Sequence, residues 1–449
     1  MSLYTRLVSN VIFPLHEYIK KHDSVTVRKN LEKSQWFSSG EIEKLQITKL
    51  KDFLTIVGRD VPYYREIFEA TGFEPSNITN LDELTKIPLV GKKEIRSNTE
   101  RLKSDNAESL ARYNTGGSSG EPLVFFIGKD RVTHDVAAKW RATRWWGVDI
   151  GDPEIVIWGS PVELGSQDII KMLRDKVIRS HLVPAFEMSE KNLDGFIQQI
   201  KTIRPKMLFG YPSALAHIAS HAEKKGVTFS ELDIKVAFVT SEKLYDHQRE
   251  IIERMFACPV ANGYGGRDAG FIAHQCPLGS MHISAEDIIV EIINSKGQVL
   301  PKGESGEIVV THLATQDFPF IRYRTGDVGV LSDETCLCGR GLPILKEIQG
   351  RKNDFVVAQN GTVMHGGALT YILRGLDGLA AFKVIQETKD KIIIQIVRDD
   401  DFNHEQLGFI KQEFKKRLGE KVEVIFEFLN EIKKEKSGKF RYVISKVTI

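Results

Sequence analysis

Phe320-Ile321-Arg322-Tyr323-Arg324-Thr325-Gly326-Asp327 ends an apolar run in a polar turn that carries two guanidinium groups and one carboxylate. A buried strand delivers polar groups to a ligand in this way. The carboxylate can accept both hydroxyls of a ribose, and the arginines suit a phosphate or a carboxylate. In isolation the same turn also reads as a solvated surface corner. Its meaning depends on the segments around it.

Between about residues 110 and 270, apolar strand candidates at Leu123–Ile127, Ile155–Trp158, Lys206–Phe209 and Val236–Val239 alternate with helical stretches. That is the pattern of a layered α/β domain, whose ligands sit beyond the strand ends. Residues 280–345 turn strand-rich, with Asp287–Ile293, Gly306–Thr311 and Val328–Leu331 between Gly and Pro turns. The first hundred residues predict helices, with a 3.6-residue period over Glu41–Val57 and a break at Val61-Pro62-Tyr63-Tyr64-Arg65. After Gly350-Arg351-Lys352-Asn353-Asp354, short β segments (Phe382–Gln386, Lys391–Val397, Val422–Phe428) surround a charged helix at Glu405–Leu418. The expected fold class is α/β: a large layered α/β N-terminal domain with a β subdomain, plus a small mobile α+β C-terminal domain on a hinge. The bounds are 1–350, made of a helical cap (about 1–105), an α/β core (about 106–279) and a β subdomain (about 280–350), and then 351–449.

The 449 residues carry 62 Lys and Arg against 60 Asp and Glu, so no basic field points to nucleic acid. A small, partly charged substrate fits better. No apolar stretch is long enough to span a bilayer and no signal-peptide pattern opens the sequence, so a cytoplasmic location is expected. Residues 3–20 place apolar residues at helical spacing with basic residues on the other face, for docking on the chain's own domain or on a membrane surface. Four cysteines in so long a chain are no disulfide framework.

Three further segments carry chemistry. Thr115-Gly116-Gly117-Ser118-Ser119-Gly120 runs toward an apolar strand, offering backbone N–H groups and hydroxyls as a phosphate cradle does, without the Gly-Lys-Ser/Thr ending of a Walker loop. A flexible linker is the rival reading. Asn262-Gly263-Tyr264-Gly265-Gly266-Arg267-Asp268-Ala269-Gly270 offers an aromatic face for a base and a carboxylate for Mg²⁺, or is a plain Gly-rich turn. Lys436-Ser437-Gly438-Lys439-Phe440-Arg441 sets one lysine after a Gly turn and by itself reads as a solvated basic tail.

In this order the motifs resemble the adenylate-forming superfamily, and within it the phenylacetate-CoA ligase-like branch, over essentially the whole chain. Ser34–Leu50 and the ending Gly438–Ser445 look closer to its CapK-like members, which are associated with capsular polysaccharide gene sets. The resemblance implies an ATP-dependent ligase that activates a carboxylic acid as acyl-AMP and then transfers the acyl group to coenzyme A. It implies that Thr115–Gly120 holds the β- and γ-phosphates, that Ser241-Glu242-Lys243 lines the adenine and that Tyr264, followed by Gly265, stacks on it. Asp327 would hold the ribose with Arg351 nearby, Asp268 would hold Mg²⁺, and Lys439 would bridge the substrate carboxylate and the α-phosphate. Asp268 stands where most members have Glu, and Asn353 where a hinge Asp or Lys is common. Transfer to an amine or sugar hydroxyl, adenylyl transfer, and a nucleotide-binding regulatory or scaffold role stay open. So do a homodimer and peripheral association with a membrane or a polysaccharide-assembly system.

Cys276-Pro277-Leu278-Gly279 and Cys336-Leu337-Cys338-Gly339 form two turns with soft ligands. Three thiolates and one imidazole complete a tetrahedral structural zinc site. His274 and His282 compete for the fourth place, and His282 is preferred because the branch often has Cys followed by a Gly/His-Ile turn. Separate buried thiols are the rival reading, and Cys258 is expected to be an inert core thiol. Trp140, Trp145, Trp146, Phe209 and Tyr211 supply aromatic surface for the acid or simply for the core. Asn360–Gly367 departs from the usual phenylacetate-ligase pattern.

Overall fold

The computed structural model describes residues 2–114, 123–158, 169–184, 190–351, 355–365, 367–374, 376, 378–399, 401–432 and 441–447. The chain divides into two units, Met1–Thr325 with Gly329–Ile348, and Gly326–Val328 with Gln349–Ile449.

The first unit opens with helices. α1 (Leu3–Leu7), a π turn (Val8–Ile12) and α2 (Phe13–Ile19) form one helical stretch, followed by α3 (Ser24–Ser34), α4 (Ser39–Asp60), α5 (Pro62–Thr71) and α6 (Lys92–Ser97). The start of α4 is fixed by a capping box: Ser38 Oγ accepts from Glu41 N, and Glu41 Oε2 accepts from Ser38 N at 2.8 Å. It buries Ile42, Gln46, Leu50, Phe53, Leu54 and Val57 at helical spacing, and ends where Pro62 begins α5. The opening stretch is seated on its own unit through Thr5, Val8, Phe13 and Glu17, while most of its apolar residues face solvent.

β1 (Ala111–Asn114) and β2 (Val124–Ile127) pair antiparallel as a separate ribbon, not as part of the main sheet where Leu123–Ile127 was expected. After α7 (Lys129–Arg144) come β3 (Glu154–Trp158), α8 (Ile169–Val177), β4 (Ser180–Pro184), α9 (Glu190–Ile203), β5 (Met207–Gly210), α10 (Pro212–Lys224), β6 (Val236–Thr240), α11 (Asp246–Phe256), β7 (Val260–Gly266), β8 (Gly270–Gln275) and β9 (Met281–Ile283). The strands order as β4-β3-β5-β6-β7-β8-β9, parallel from β4 to β7 and antiparallel beyond. β5 and β6 are buried at every position because helices cover both faces. α9, α10 and α11 pack one face, and Ala142 from α7 with Val148 packs the other. β10 (Ile288–Ile293), β11 (Ser305–His312), β12 (Tyr323–Leu331) and β13 (Leu345–Arg351) form a four-stranded sheet in that order.

The second unit carries β14 (Phe355–Val357), β15 (Val363–His365), α12 (Gly367–Arg374), β16 (Leu379–Thr388), β17 (Lys391–Arg398), α13 (Gln406–Leu418), β18 (Glu423–Phe428) and β19 (Val443–Ser445). Its four-stranded sheet runs β18-β17-β16-β19. β16 and β17 alternate buried and half-buried residues because α12 and α13 supply one core with Leu369, Leu373, Ile410 and Phe414. This is the small α+β domain. Among the described residues no helix is long and apolar enough to cross a membrane.

Two adjacent carboxylates join the helical cap to the sheets. Glu286 and Asp287, 1% and 3% exposed, precede β10. Glu286 Oε1 accepts from Arg141 Nη1 at 2.6 Å and from Ser34 Oγ at 2.8 Å. Asp287 Oδ1 lies 3.1 Å from Lys49 Nζ and 2.8 Å from His134 Nδ1. Burial disfavours a charged Asp287, but His134 and Lys49 outweigh it and hold this carboxyl well below the usual range. Arg141→Ala leaves Glu286 charged and dry, so the urea midpoint of the first unit should fall by an amount equivalent to ~3–5 kcal/mol. Glu286→Gln should cost less.

Candidate active site

β5, β6 and β7 are neighbours and parallel, so their C-terminal ends open on one edge, where a layered sheet receives its ligand. The chain leaves β6 at Ser241 in a left-handed conformation, φ 71°, unusual for serine. Glu242 Oε2 accepts from Ser213 N at 3.2 Å, tying this turn to the start of α10. On the next strand Thr240 pairs with Gly263, which puts half-buried Tyr264 just beyond the same level. Ser241, Glu242 and Tyr264 therefore share one edge.

The glycine-rich segment is a hairpin and not a loop, because β7 continues to Gly266 and β8 starts at Gly270. A Cβ on Gly265 would fall 2.2 Å from the Gly270 carbonyl oxygen, so the strands approach only if residue 265 has no side chain. Asp268 sits in the turn, half-buried. Its Oδ2 accepts from Tyr323 Oη at 2.7 Å and its Oδ1 from Ala269 N at 3.1 Å. Below it, Arg131 donates to the carbonyls of Arg267 and Asp268, each at 3.4 Å, and to Asp135 Oδ2 at 2.8 Å. His312 Nε2 is 3.8 Å from Asp135 Oδ1. Burial and the Arg131 charge push His312 down to about 4, so it is neutral near pH 7. Arg131, Asp135 and His312 were not singled out in the sequence, because nothing local in a helical Arg-x-x-x-Asp distinguishes them from a surface pair. The ring of Tyr113, the penultimate residue of β1, lies 5.9 Å from the Arg267 guanidinium carbon. The strand entering the Thr/Ser/Gly segment thus lies beside the Asp268 turn.

In residues 320–327 the arginines and Thr325 serve as structural support. The chain bends at Ile321–Arg322, with Arg322 left-handed at φ 47°, and the strand begins after the bend, at Tyr323. Neither arginine is offered to a ligand. Arg322 Nη2 pairs with Glu291 Oε1 at 2.8 Å while its Nη1 donates to the Ile87 carbonyl at 2.9 Å. Arg324 Nη2 pairs with Glu307 Oε2 at 2.5 Å. Thr325 Oγ1 donates to the Ile308 carbonyl at 2.8 Å. A free Arg322 guanidinium so far from water would go unmatched, and β10 and β11 supply an acid for each arginine. Asp327 is half-buried within β12. The backbone of Arg351 ends β13, while its side chain, residues Thr115, Gly116, Gly117, Ser118, Ser119 and Gly120, Asn353 and Lys439 lie outside the described residues.

Cys276, His282, Cys336 and Cys338 converge, with their ligand atoms all within 4.8 Å of one another. Cys276 Sγ lies 3.7 Å from Cys336 Sγ, and Cys338 Sγ 3.2 Å from His282 Nε2. A tetrahedron with metal–sulfur bonds of ~2.3 Å has edges of about 3.7 Å, so the Cys276 and Cys336 sulfurs are already at the required separation. His282 Nδ1 faces the Leu342 carbonyl at 3.2 Å, the partner that orients a metal-binding imidazole. His274 pairs across the strands with His282 but lies outside the group, its ring stacked on Phe271. Cys258 is buried in the core, its thiol pushed up to about 12 by burial.

The tryptophans are held by structure. Trp140 Nε1 bonds Asp149, Trp145 Nε1 donates to Gln35 Oε1 at 2.8 Å and Trp146 Nε1 to the Gln275 carbonyl at 3.0 Å. Trp158 instead stacks on Tyr211, with ring centres 4.5 Å apart, at the ends of β3 and β5.

Residues 356–446 match the model of the CapK C-terminal domain. Over 411 residues the chain is 24% identical to protein CapK of Staphylococcus aureus, covering 91% of this chain and 90% of that protein. It is 25% identical to the phenylacetate-coenzyme A ligase of Thermus thermophilus over 333 residues, 72% of this chain and 73% of the ligase. Among solved structures, a 2-hydroxyisobutyryl-CoA ligase in its postadenylation state superposes with a TM-score of 0.74 at 20% identity, covering 91% of this chain and 90% of that one. The chain thus has the fold of that acid-CoA ligase and is similar in sequence to CapK over nine-tenths of its length and to the phenylacetate-CoA ligases over about three-quarters.

Proposed function

We propose that the protein joins a carboxylic acid to AMP at the expense of ATP and passes the acyl group to coenzyme A. The observation that carries this reading is the meeting of Ser241, Glu242 and Tyr264 at one sheet edge, with the Asp268 turn lying against Tyr113. Tyr264 stacks on the adenine, Ser241 and Glu242 line it, and Asp327 accepts the ribose hydroxyls with Arg351 beside it. The Thr115–Gly120 segment holds the β- and γ-phosphates. A carboxylate oxygen of the acid attacks the α-phosphorus. The bond from that phosphorus to the bridging oxygen breaks, and pyrophosphate leaves with the electron pair. Lys439 offsets the two anions that must approach each other. Mg²⁺ supplies further neutralisation of the phosphates when bound, and the Asp268 carboxylate, fixed by Tyr323 and Ala269, fits it as one oxygen ligand. In the second step the thiolate of coenzyme A attacks the acyl carbon and AMP departs.

The Cys276, His282, Cys336 and Cys338 group fits structural zinc. It ties the loop before β13 to β9 and, through Arg340 stacked 4.4 Å over Trp145, to the end of α7. The compartment we assign is the cytoplasm, where ATP and coenzyme A are available.

Pyrophosphate exchange into ATP, measured across a panel of carboxylic acids, tests the first step. Some acid should support exchange, and coenzyme A should release AMP. Exchange with no acid by folded, metal-replete protein rules the reading out. Lys439→Ala should lower exchange on the order of a thousandfold and spare thioester formation from supplied acyl-AMP.

Releasing the Asp268 turn should act through the metal. Tyr323→Phe should raise the Mg²⁺ concentration needed for half-maximal exchange, and Arg131→Met should lower the rate about tenfold, as expected for lost hydrogen bonds from a charged donor. An unchanged Mg²⁺ requirement in both would separate the turn from the metal. Metal analysis of protein purified without chelator should find about one zinc per chain, and Cys338→Ser should lose it together with several degrees of thermal stability.

A further inference from the structure

The helical stretch from Leu3 to Ile19 has two unlike sides. One is seated on the first unit. Thr5 Oγ1 donates to Asp152 Oδ1 at 2.7 Å, Val8 fills the space over Gly151, and Phe13 meets Trp140 edge-on at 5.2 Å. Tyr4 Oη donates to the Val177 carbonyl at 2.8 Å and the Arg179 guanidinium covers its ring, so α8 borders the stretch. The other side carries Leu3, Leu7, Val11 and Leu15, one every four residues, then Tyr18 and Ile19, all 48–83% exposed. Leu173 and Val177 on α8 are exposed as well.

In an α-helix, side chains four apart drift by about 40° per step. The wider π turn at Val8–Ile12 takes that drift back and keeps the four aliphatic residues in one row. Such a row on a soluble surface implies something that covers it.

Charge identifies the cover. Arg6, Lys20 and Lys21 belong to the stretch and its end, and Lys176 and Arg179 to α8 and the turn after it. The acids among them are spent: Glu17 is buried and accepts from Ser24 Oγ at 2.6 Å, and Asp175 is paired with Arg174 at 2.5 Å. A second copy of the chain meeting this face would bring two sets of cations together. An anionic lipid surface instead takes the apolar row into its interface and the cations at headgroup level. We propose that this face seats the protein on a membrane bearing anionic lipid, so that acyl activation takes place at the bilayer surface without crossing it.

Flotation of the full chain with vesicles of phosphatidylcholine and phosphatidylglycerol, against phosphatidylcholine alone, tests this at low and high salt. The chain should float with the anionic vesicles and be released by salt. Leu7→Glu with Leu15→Glu should abolish flotation at an unchanged melting temperature, because both side chains face solvent. Lys20→Gln and Lys21→Gln should weaken binding on the order of fivefold per charge. Failure to float with anionic vesicles, or equal flotation of the double leucine variant, overturns the proposal. So does a dimer in sedimentation that the leucine substitutions dissociate, since the second copy would then be the cover.

Discussion

The first unit depends on keeping two neighbouring negative charges dry. Glu286 and Asp287 sit where the last strand of the seven-stranded sheet gives way to the four-stranded one, and each would be costly there without its cations. Their partners arrive from α3, α4 and α7, elements that precede them by more than a hundred residues. Satisfying the pair therefore fixes the helical cap against the sheets. The hydrophobic core between them is large but non-directional, and the charges select one arrangement of it.

The candidate nucleotide edge is built in the same manner, from side chains lent by distant elements. Tyr323 from β12 and Arg131 from α7 both close on the Asp268 turn, one on the carboxylate and one on the backbone. The turn has little freedom left, held at its carboxylate and at its backbone. The cysteine group lies at the far end of β8 from this turn, on the same hairpin that carries Asp268.

What could be read in advance was whatever is local. Val236–Thr240 and Met207–Gly210 are unbroken apolar runs because helices bury both faces, and β16 and β17 alternate because one face is open. The two cysteine turns were visible from spacing. What resisted reading was the choice of partner across long separations. Arg322 and Arg324 have the composition of a ligand site, and only the fold reveals Glu291 and Glu307 beside them. Between β7 and β8 the glycines serve close strand approach, which composition cannot separate from a ligand-binding stretch or a plain turn. The ribbon of β1 and β2 looked like main-sheet strand for a related reason, since an apolar segment does not name its neighbour.

One contact bears on how the chain comes to exist at all. Val90 N donates to the Arg322 carbonyl at 3.1 Å and the Val90 carbonyl accepts from Arg324 N at 2.9 Å, so this segment of the helical cap is completed as an isolated parallel bridge beside β12. The Arg322 guanidinium reaches back to the Ile87 carbonyl across 235 residues. On the ribosome, the cap therefore waits for most of the polypeptide before its last backbone groups find partners. Its apolar helices emerge before the sheets and are among the last elements to be enclosed. Over that interval the nascent chain is the species a chaperone would meet, and the speed of elongation through the intervening sheet sets how long the meeting lasts.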